Sequence, residues 1–275
     1  MIIMQHFIRI DEEKCIHCGL CLRDCLVSCL EFDENRIPRY AAGRAEKCIA
    51  CQHCLAICPT GAFSFDGLNP ADSAPVTTVD SDALLGLIKS RRSVRQYQKA
   101  DVPPEKLVKL QEMLAYPPTG INAPSLRFTI IATREKMDEL RSITYECLER
   151  VPDDSPLAFL KEMAAKGRQA DKDIIYRGAP ALVIVSVDET KTVEMCRPVD
   201  PVIALSYLEL YAQSLGLGTV WDGFAVAMAR HFPEVEAQFR IPEHCKLSFV
   251  MALGLSAVKY ARTPQLETKN VTIIK

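Results

Sequence analysis

The chain has 275 residues, 33 Lys+Arg against 35 Asp+Glu, a formal net charge of −2 and 48 % apolar residues. That length accommodates one large domain or two ordinary ones, and the near-neutral balance suits a globular protein. It argues against bulk electrostatic binding to nucleic acid, and no apolar stretch approaches the roughly 20 residues of a membrane span.

The opening, MIIMQHFIRIDEEK, has too short an apolar stretch for a signal peptide, and acids follow it. A cytoplasmic protein is expected. Next come two runs of cysteines. Cys15, Cys18, Cys21 and Cys25 form C-x2-C-x2-C-x3-C, and Cys48, Cys51, Cys54 and Cys58 repeat that spacing 33 residues later, with Pro59 after the last. This is the spacing of bacterial two-cluster ferredoxins, in which the fourth cysteine of each run ligates the other cluster. Cys15, Cys18, Cys21 and Cys58 are therefore assigned to one [4Fe–4S] cluster, and Cys48, Cys51, Cys54 and Cys25 to a second. Structural zinc also uses C-x2-C pairs, but it needs neither a third cysteine at the same spacing nor a repeat of the set.

Leu26 stands where proline follows the fourth cysteine of the other run, so the bend at Cys25 has a different origin. Cys29, four residues on, reads as a small buried hydrophobe; a replacement ligand or a reactive thiol are the other readings. His17 and His53, each beside a cysteine of a run, read as loop residues. Residues 1–66 hold seven Lys/Arg and nine Asp/Glu, and loaded clusters add further negative charge. Such a module suits docking to a basic redox partner. Exposed clusters tolerate oxygen poorly, so an anaerobic setting is expected.

Residues 1–67 are expected to form the cluster module, closed by a strand at Phe63 to Phe65. DGLNPADSAPVTTVD follows, and its Asp, Pro, Ser and Thr content marks 68–80 as a linker. The remainder, 81–275, alternates helical and strand patterns. Ser81 to Ile88 is an amphipathic helix with Leu84, Leu85 and Ile88 on one face. Pro103 and Pro104 open a helix carrying Leu107, Leu110 and Leu114. Arg127 to Ala132 has a strand bias; charged helices run through Arg150 and over Leu157 to Asp173. ALVIVSV, Ala181 to Val187, is continuously apolar and β-branched, the pattern of a central strand buried on both faces. Val202 to Leu215 is a long apolar helix ended by Gly216, and Leu247 to Leu253 is another buried strand. The expected fold class is α+β: a two-cluster module joined to a sandwich with a central mixed sheet and flanking helices.

Four segments of 81–275 carry unusual chemistry. Ser90-Arg91-Arg92-Ser93-Val94-Arg95 suits an anion or a flavin edge, or is a solvated basic helix end. Pro117 to Ser125 is a turn-rich loop leading into a strand. Leu217 to Phe224 contains Gly218 and Gly223, which permit close approach to a planar ligand, or is a helix exit followed by a core strand. Lys259-Tyr260-Ala261-Arg262 brings two cations to a strand exit. Cys147, Cys196 and Cys245 read as ordinary core or surface residues, and Trp221 as core or flavin-side packing.

Together, the R-R-S-x-R stretch, the T-x-x-N loop, the G-L-G-T helix exit and the late K-Y-x-R resemble the nitroreductase-like FMN flavoprotein family, in the type with an N-terminal ferredoxin domain. The resemblance implies FMN at a homodimer interface. It implies that Arg91, Arg92, Ser93 and Arg95 grip the flavin, and that Lys259 and Arg262 complete the phosphate site. Pro118, Thr119 and Asn122 would reach the partner subunit's flavin, and the Asp222–Gly223 backbone would approach N5. Ala123-Pro124-Ser125 replaces the Gln-Pro-Trp of many members, and the segment around Lys172 matches no flavin contact of the family. The implied activity is ferredoxin-linked reduction of an electron-poor organic acceptor, a nitroaromatic or quinone, with a low-potential donor outside the chain. A second reading is an electron-transfer module without a small substrate, and a third is a redox sensor, which no DNA-binding motif supports. No side chain stands out as a catalytic acid, and neither nucleic acid nor membrane is an expected partner.

Overall fold

The first structural decision is made by the cysteine runs. Each turns through two residues with left-handed backbone: His17 (φ 55°) and Gly19 (φ 71°) in the first, Ala50 (φ 53°) and Gln52 (φ 59°) in the second. The computed structural model describes residues 6–267 and 269–275. It divides into two compact units, Met1–Thr78 and Val79–Lys275.

The first unit is built from short pieces: β1 (Ile8–Ile10), α1 (Leu20–Arg23), β2 (Leu30–Phe32), β3 (Pro38–Tyr40), α2 (His53–Ala56) and β4 (Phe63–Phe65). Strand β1 pairs antiparallel with β4, Ile10 opposite Phe63, and β2 pairs antiparallel with β3, Leu30 opposite Tyr40. The strand expected at Phe63 to Phe65 is β4. Its two aromatic side chains are almost wholly buried. The segment after it, read as linker from its composition, begins folded. Leu68 N donates to Phe65 O at 2.8 Å, and Asn69 caps a single 3-10 turn over Pro70–Asp72.

The second unit contains α3 (Ser81–Ser90), α4 (Pro104–Met113), β5 (Leu126–Ile131), α5 (Arg134–Glu149), α6 (Ala158–Gln169), β6 (Ala181–Asp188), α7 (Asp200–Ser214), β7 (Leu217–Trp221), α8 (Gly223–His231), α9 (Pro233–Gln238) and β8 (Cys245–Leu255). Its sheet has the order β5-β6-β8-β7, and all three ladders are antiparallel. The sheet is mixed only at its edge, where Ser93 makes a parallel bridge to Thr219 and Val94 N donates to Thr219 O at 2.8 Å.

Strand β6 explains the layering. All eight residues are buried, as its unbroken apolar run predicts. Period-two alternation sends Leu182 and Ile184 to one face and Ala181, Val183 and Val185 to the other. The first face packs on Met137 and Leu140 of α5, Leu160 of α6 and Val226 of α8. The second packs on Leu110 of α4 and on Leu205, Leu208 and Ala212 of α7. Burying each such side chain contributes about 1.5–3 kcal/mol. Gly216, at φ 74°, supplies the left-handed stop after α7. Helix α3 forms where expected, capped by Asp80 on Ala83 N at 2.8 Å. Its Leu84, Leu85 and Ile88 remain nearly half exposed within one chain. Among the described residues no helix is long and apolar enough to cross a membrane.

Candidate cluster cavities and cofactor cleft

The left-handed turns of the two runs wrap three cysteines each around a hollow. The fourth cysteine then crosses over. Cys58 joins Cys15, Cys18 and Cys21 around the first cavity, and Cys25 joins Cys48, Cys51 and Cys54 around the second. Successive left-handed and right-handed residues turn backbone N–H groups toward such a hollow and suit it to an anionic occupant. Among the described residues, no group of three or more His, Cys, Asp or Glu side chains is placed to hold a single metal ion.

Sulfur electrostatics differ from one cysteine to the next. Burial pushes Cys21 up to about 11 and Cys54 up to about 12. A thiol in that state would release its proton to solvent only as iron takes the proton's place on sulfur. Burial also raises Cys58, but hydrogen bonds from Thr60, Ala62 and Phe63 outweigh it and leave that thiol below its ordinary value. Two residues that spacing alone did not mark as cavity groups also line the second hollow: Cys29, buried as expected, and Tyr40. The histidines do not close on the cavities as ligand sets. His17 Nδ1 lies 3.1 Å from Arg36 O, and His53 Nδ1 lies 2.9 Å from Asp24 Oδ2.

In the second unit, an open cleft of about 440 Å³ is lined by Ser90, Arg92, Gly218, Thr219, Lys259 and Arg262, among others. Thus Arg92 of the R-R-S-x-R stretch meets both late cations. Ser90 lines it from the end of α3, and the alternation of the extended chain beyond explains the rest: Arg92 and Val94 line it, and Arg91, Ser93 and Arg95 do not. Arg91 instead pairs with the buried Glu209, Nη1 to Oε1 at 3.1 Å. Ser93 is the bridge residue to Thr219, and Arg95 Nη1 donates to Ser93 O at 3.3 Å. Glu209 carries no motif signal, being 118 residues from its partner. Gln213, one helical turn on, donates to Ser90 Oγ at 2.7 Å and fixes the cleft's edge.

Gly218 lines the cleft, and its missing side chain also admits protein, since a Cβ there would lie 2.7 Å from three carbons of Val94. At Gly223 the space is open, with nothing within 4 Å of a Cβ. Asp222 caps α8 by accepting from Ala225 N at 2.9 Å through Oδ1. Its Oδ2 is buried without a partner, and burial pushes the carboxyl up to about 7 against the opposing pull of Ala225 N–H and Arg177. Trp221 stacks edge-on against Phe249, with centroids 5.1 Å apart.

The loop with Pro118, Thr119 and Asn122 does not line this cleft. Thr119 Oγ1 donates to Ala123 O at 2.8 Å, and Ile121 and Asn122 sit at φ 51° and 56°. Gly120 N donates to the buried Asp200 Oδ2 at 3.1 Å, and a side chain at Gly120 would strike Cys196. The loop is therefore held in a non-helical shape that presents Ile121 to solvent.

Comparison with known proteins agrees with this division. The model of the Nitroreductase family matches residues 88–255, and that of the 4Fe-4S dicluster domain matches residues 8–65. A protein of Methanothermobacter thermautotrophicus, whose name pairs NADH dehydrogenase with NAD(P)H nitroreductase, is 27 % identical over 63 % of this chain and 78 % of its own. The iodotyrosine deiodinase of Thermotoga neapolitana is 26 % identical over 62 % of this chain and 87 % of its own. The crystal structure of a Bacteroides fragilis nitroreductase with bound FMN aligns with TM-score 0.58 and 25 % identity, covering 72 % of this chain and all (100 %) of that one. The chain is an oxidoreductase that belongs to the nitroreductase family, with a 4Fe-4S dicluster domain ahead of its nitroreductase domain.

Proposed function

We propose that the chain is an iron–sulfur flavoprotein that relays electrons through two [4Fe–4S] clusters to FMN and reduces an electron-poor organic acceptor, a nitroaromatic or quinone. The observation that carries this reading is the crossed arrangement of cysteines. Two sets of four, each borrowing one from the other run, surround two separate cavities in the chain that also holds a basic cleft.

The residues fit the groups. Cys15, Cys18, Cys21 and Cys58 hold one cluster, and Cys25, Cys48, Cys51 and Cys54 the other. The buried Tyr40 hydroxyl lies beside the Cys48 sulfur, meets no acceptor at full hydrogen-bonding geometry, and lines the second cavity. Arg92, Lys259 and Arg262 give the cleft three cations, suited to a phosphate. When bound, the clusters supply one-electron steps and FMN supplies two-electron, hydride-equivalent chemistry.

The chain's own groups then do the following. Arg92, Lys259 and Arg262 anchor and orient the cofactor through its phosphate end. Gly223 leaves room at the start of α8 for the flavin ring to reach the backbone N–H. Asp222, buried and near neutrality in its proton affinity, holds α8 in place through Oδ1 and keeps a proton close to the same edge. Pro118, Thr119 and Asn122, on a loop of fixed shape, contribute to the flavin site of a second subunit. The exposed Leu84, Leu85 and Ile88 of α3 are consistent with such a homodimer. The acidic first unit receives electrons from a low-potential donor, a separate ferredoxin being the natural class, in the cytoplasm of an anaerobe.

Anaerobic iron, sulfide and flavin analysis tests the cofactors, with about eight irons and one FMN per chain expected from two four-iron clusters. Stopped-flow reduction then tests the relay. A low-potential donor should reduce the flavin of the intact protein, and Cys51→Ala should slow that step while leaving flavin content unchanged. Equal rates in both proteins would remove the relay. Eight irons without flavin would leave an electron-transfer module.

A further inference from the structure

The two cysteine cavities are related by the repeat but differ in chemistry. Asp11 N donates to Ala62 O at 2.8 Å, and Ala41 N donates to Cys29 O at 2.9 Å. These equivalent bonds set the halves in register: Asp11 matches Ala41, and Ala62 matches Cys29. One residue earlier, Ile10 at the end of β1 matches Tyr40 at the end of β3. Ile10 and Ala62 line the first cavity, and Tyr40 and Cys29 line the second. Two apolar side chains on one side are thus replaced by two hydrogen-bond donors on the other.

Both donors point at sulfur. The Tyr40 hydroxyl is buried, meets no acceptor at full hydrogen-bonding geometry, and has the sulfurs of Cys48, Cys29 and Cys54 as its neighbours. A buried hydroxyl left without a well-placed acceptor is destabilising, so its place is explained by sulfur that becomes a full acceptor when a cluster is held there. Cys29 is 2 % exposed, and its Sγ lies 3.5 Å from Cys25 Sγ. Either sulfur can donate in that contact; with Cys25 engaged as a thiolate ligand, the Cys29 thiol would be the partner that still carries a proton. In the first cavity the side-chain hydroxyl contact is Thr60 Oγ1, 3.8 Å from Cys58 Sγ, at the repeat position that Val27 takes beside the second cavity. Donors aimed at cluster sulfur stabilise the charge added on reduction and raise the potential.

We infer that Tyr40 and Cys29 donate hydrogen bonds to the sulfurs of the second cluster and hold it at a higher reduction potential than the first, so that the first electron entering the chain rests there. This rests on the two-cluster reading above. The step is one electron from the low-potential donor to one cluster, with no bond made or broken. Tyr40 and Cys29 are positioning residues; the ligands remain Cys25, Cys48, Cys51 and Cys54.

The test is an anaerobic redox titration of the full, iron-loaded chain followed by electron paramagnetic resonance. The wild type should reduce in two separated steps. Tyr40→Phe and Cys29→Ala should each move the higher step toward the lower, and together bring them close to coincidence. Thr60→Val should move only the lower step. If Tyr40→Phe binds less iron, Cys29→Ala reads the same cavity. Eight irons with both steps unmoved in Tyr40→Phe and Cys29→Ala, or with both steps moved equally, would overturn the tuning alone. A wild type that cannot hold two clusters would overturn the cluster reading and this inference with it.

Discussion

The two units of this chain solve the problem of an interior in opposite ways. The second fills both faces of a four-stranded sheet with side chains, and β6 is buried along its whole length. The first has strands of three residues and helices of four, grouped around two hollows lined by cysteine. A unit that small, with little apolar surface to bury, needs a staple. From that difference we expect the second unit's fold to be its own property, and the first's to belong jointly to chain and clusters.

The largest expected effect follows directly. Stripping iron with a chelator should abolish the fold of residues 6–78, seen as new protease cuts there and lost circular dichroism. Trp221, the only tryptophan and a member of the second unit, should keep its native fluorescence. Loss of both signals together would break the comparison.

Next in size is the pH dependence of the second unit. Asp222 moves from 3.8 to about 7 on folding. The folded chain therefore binds this proton more tightly than the unfolded chain does. The resulting stability is fully present below pH ~4 and is lost as pH rises through about 7, at most ~4 kcal/mol in all. Denaturant unfolding read by Trp221 should show this slope, and Asp222→Asn, which keeps an oxygen for Ala225 N, should flatten it.

Gly218→Ala comes third. It presses a methyl into Val94, and overpacking of that kind costs about 2 kcal/mol. Val94→Ala should return part of it, and iron content should not change. The smallest effect belongs to the open cleft: Arg262→Ala should weaken FMN binding about tenfold, or ~1.4 kcal/mol, measured by recovery of flavin fluorescence on dilution.

What the sequence revealed tracks how local each cause is. The cysteines that line the two cavities are legible because their spacing is itself the geometry. Strand β6 is legible because burial on both faces leaves no room for a polar residue until its end. The layout of Ser90 to Arg95 was half legible: the cations were plain, but which of them meet Lys259 and Arg262 depends on an extended backbone held by Thr219. Arg91 shows the limit. Its partner Glu209 is distant in sequence and unmarked by any motif, so only the tertiary fold reveals that this arginine serves a buried carboxylate. Gly218 stayed open between two readings because glycine makes room equally for a ligand and for a neighbouring valine, and it both lines the cleft and admits Val94. Tyr40 was missed because the repeat was read through its cysteines alone, whereas strand register pairs it with Ile10.

The crossing of Cys25 and Cys58 bears on descent. Each half of the first unit surrounds its hollow with three thiols of its own and one borrowed from the other half. A half-length ancestor would have completed its sites only by pairing with a second copy of itself. Duplication in tandem would make that exchange internal to one polypeptide. The halves could then differ wherever the exchange itself is spared, and the end of β1 against the end of β3 is one place where they do.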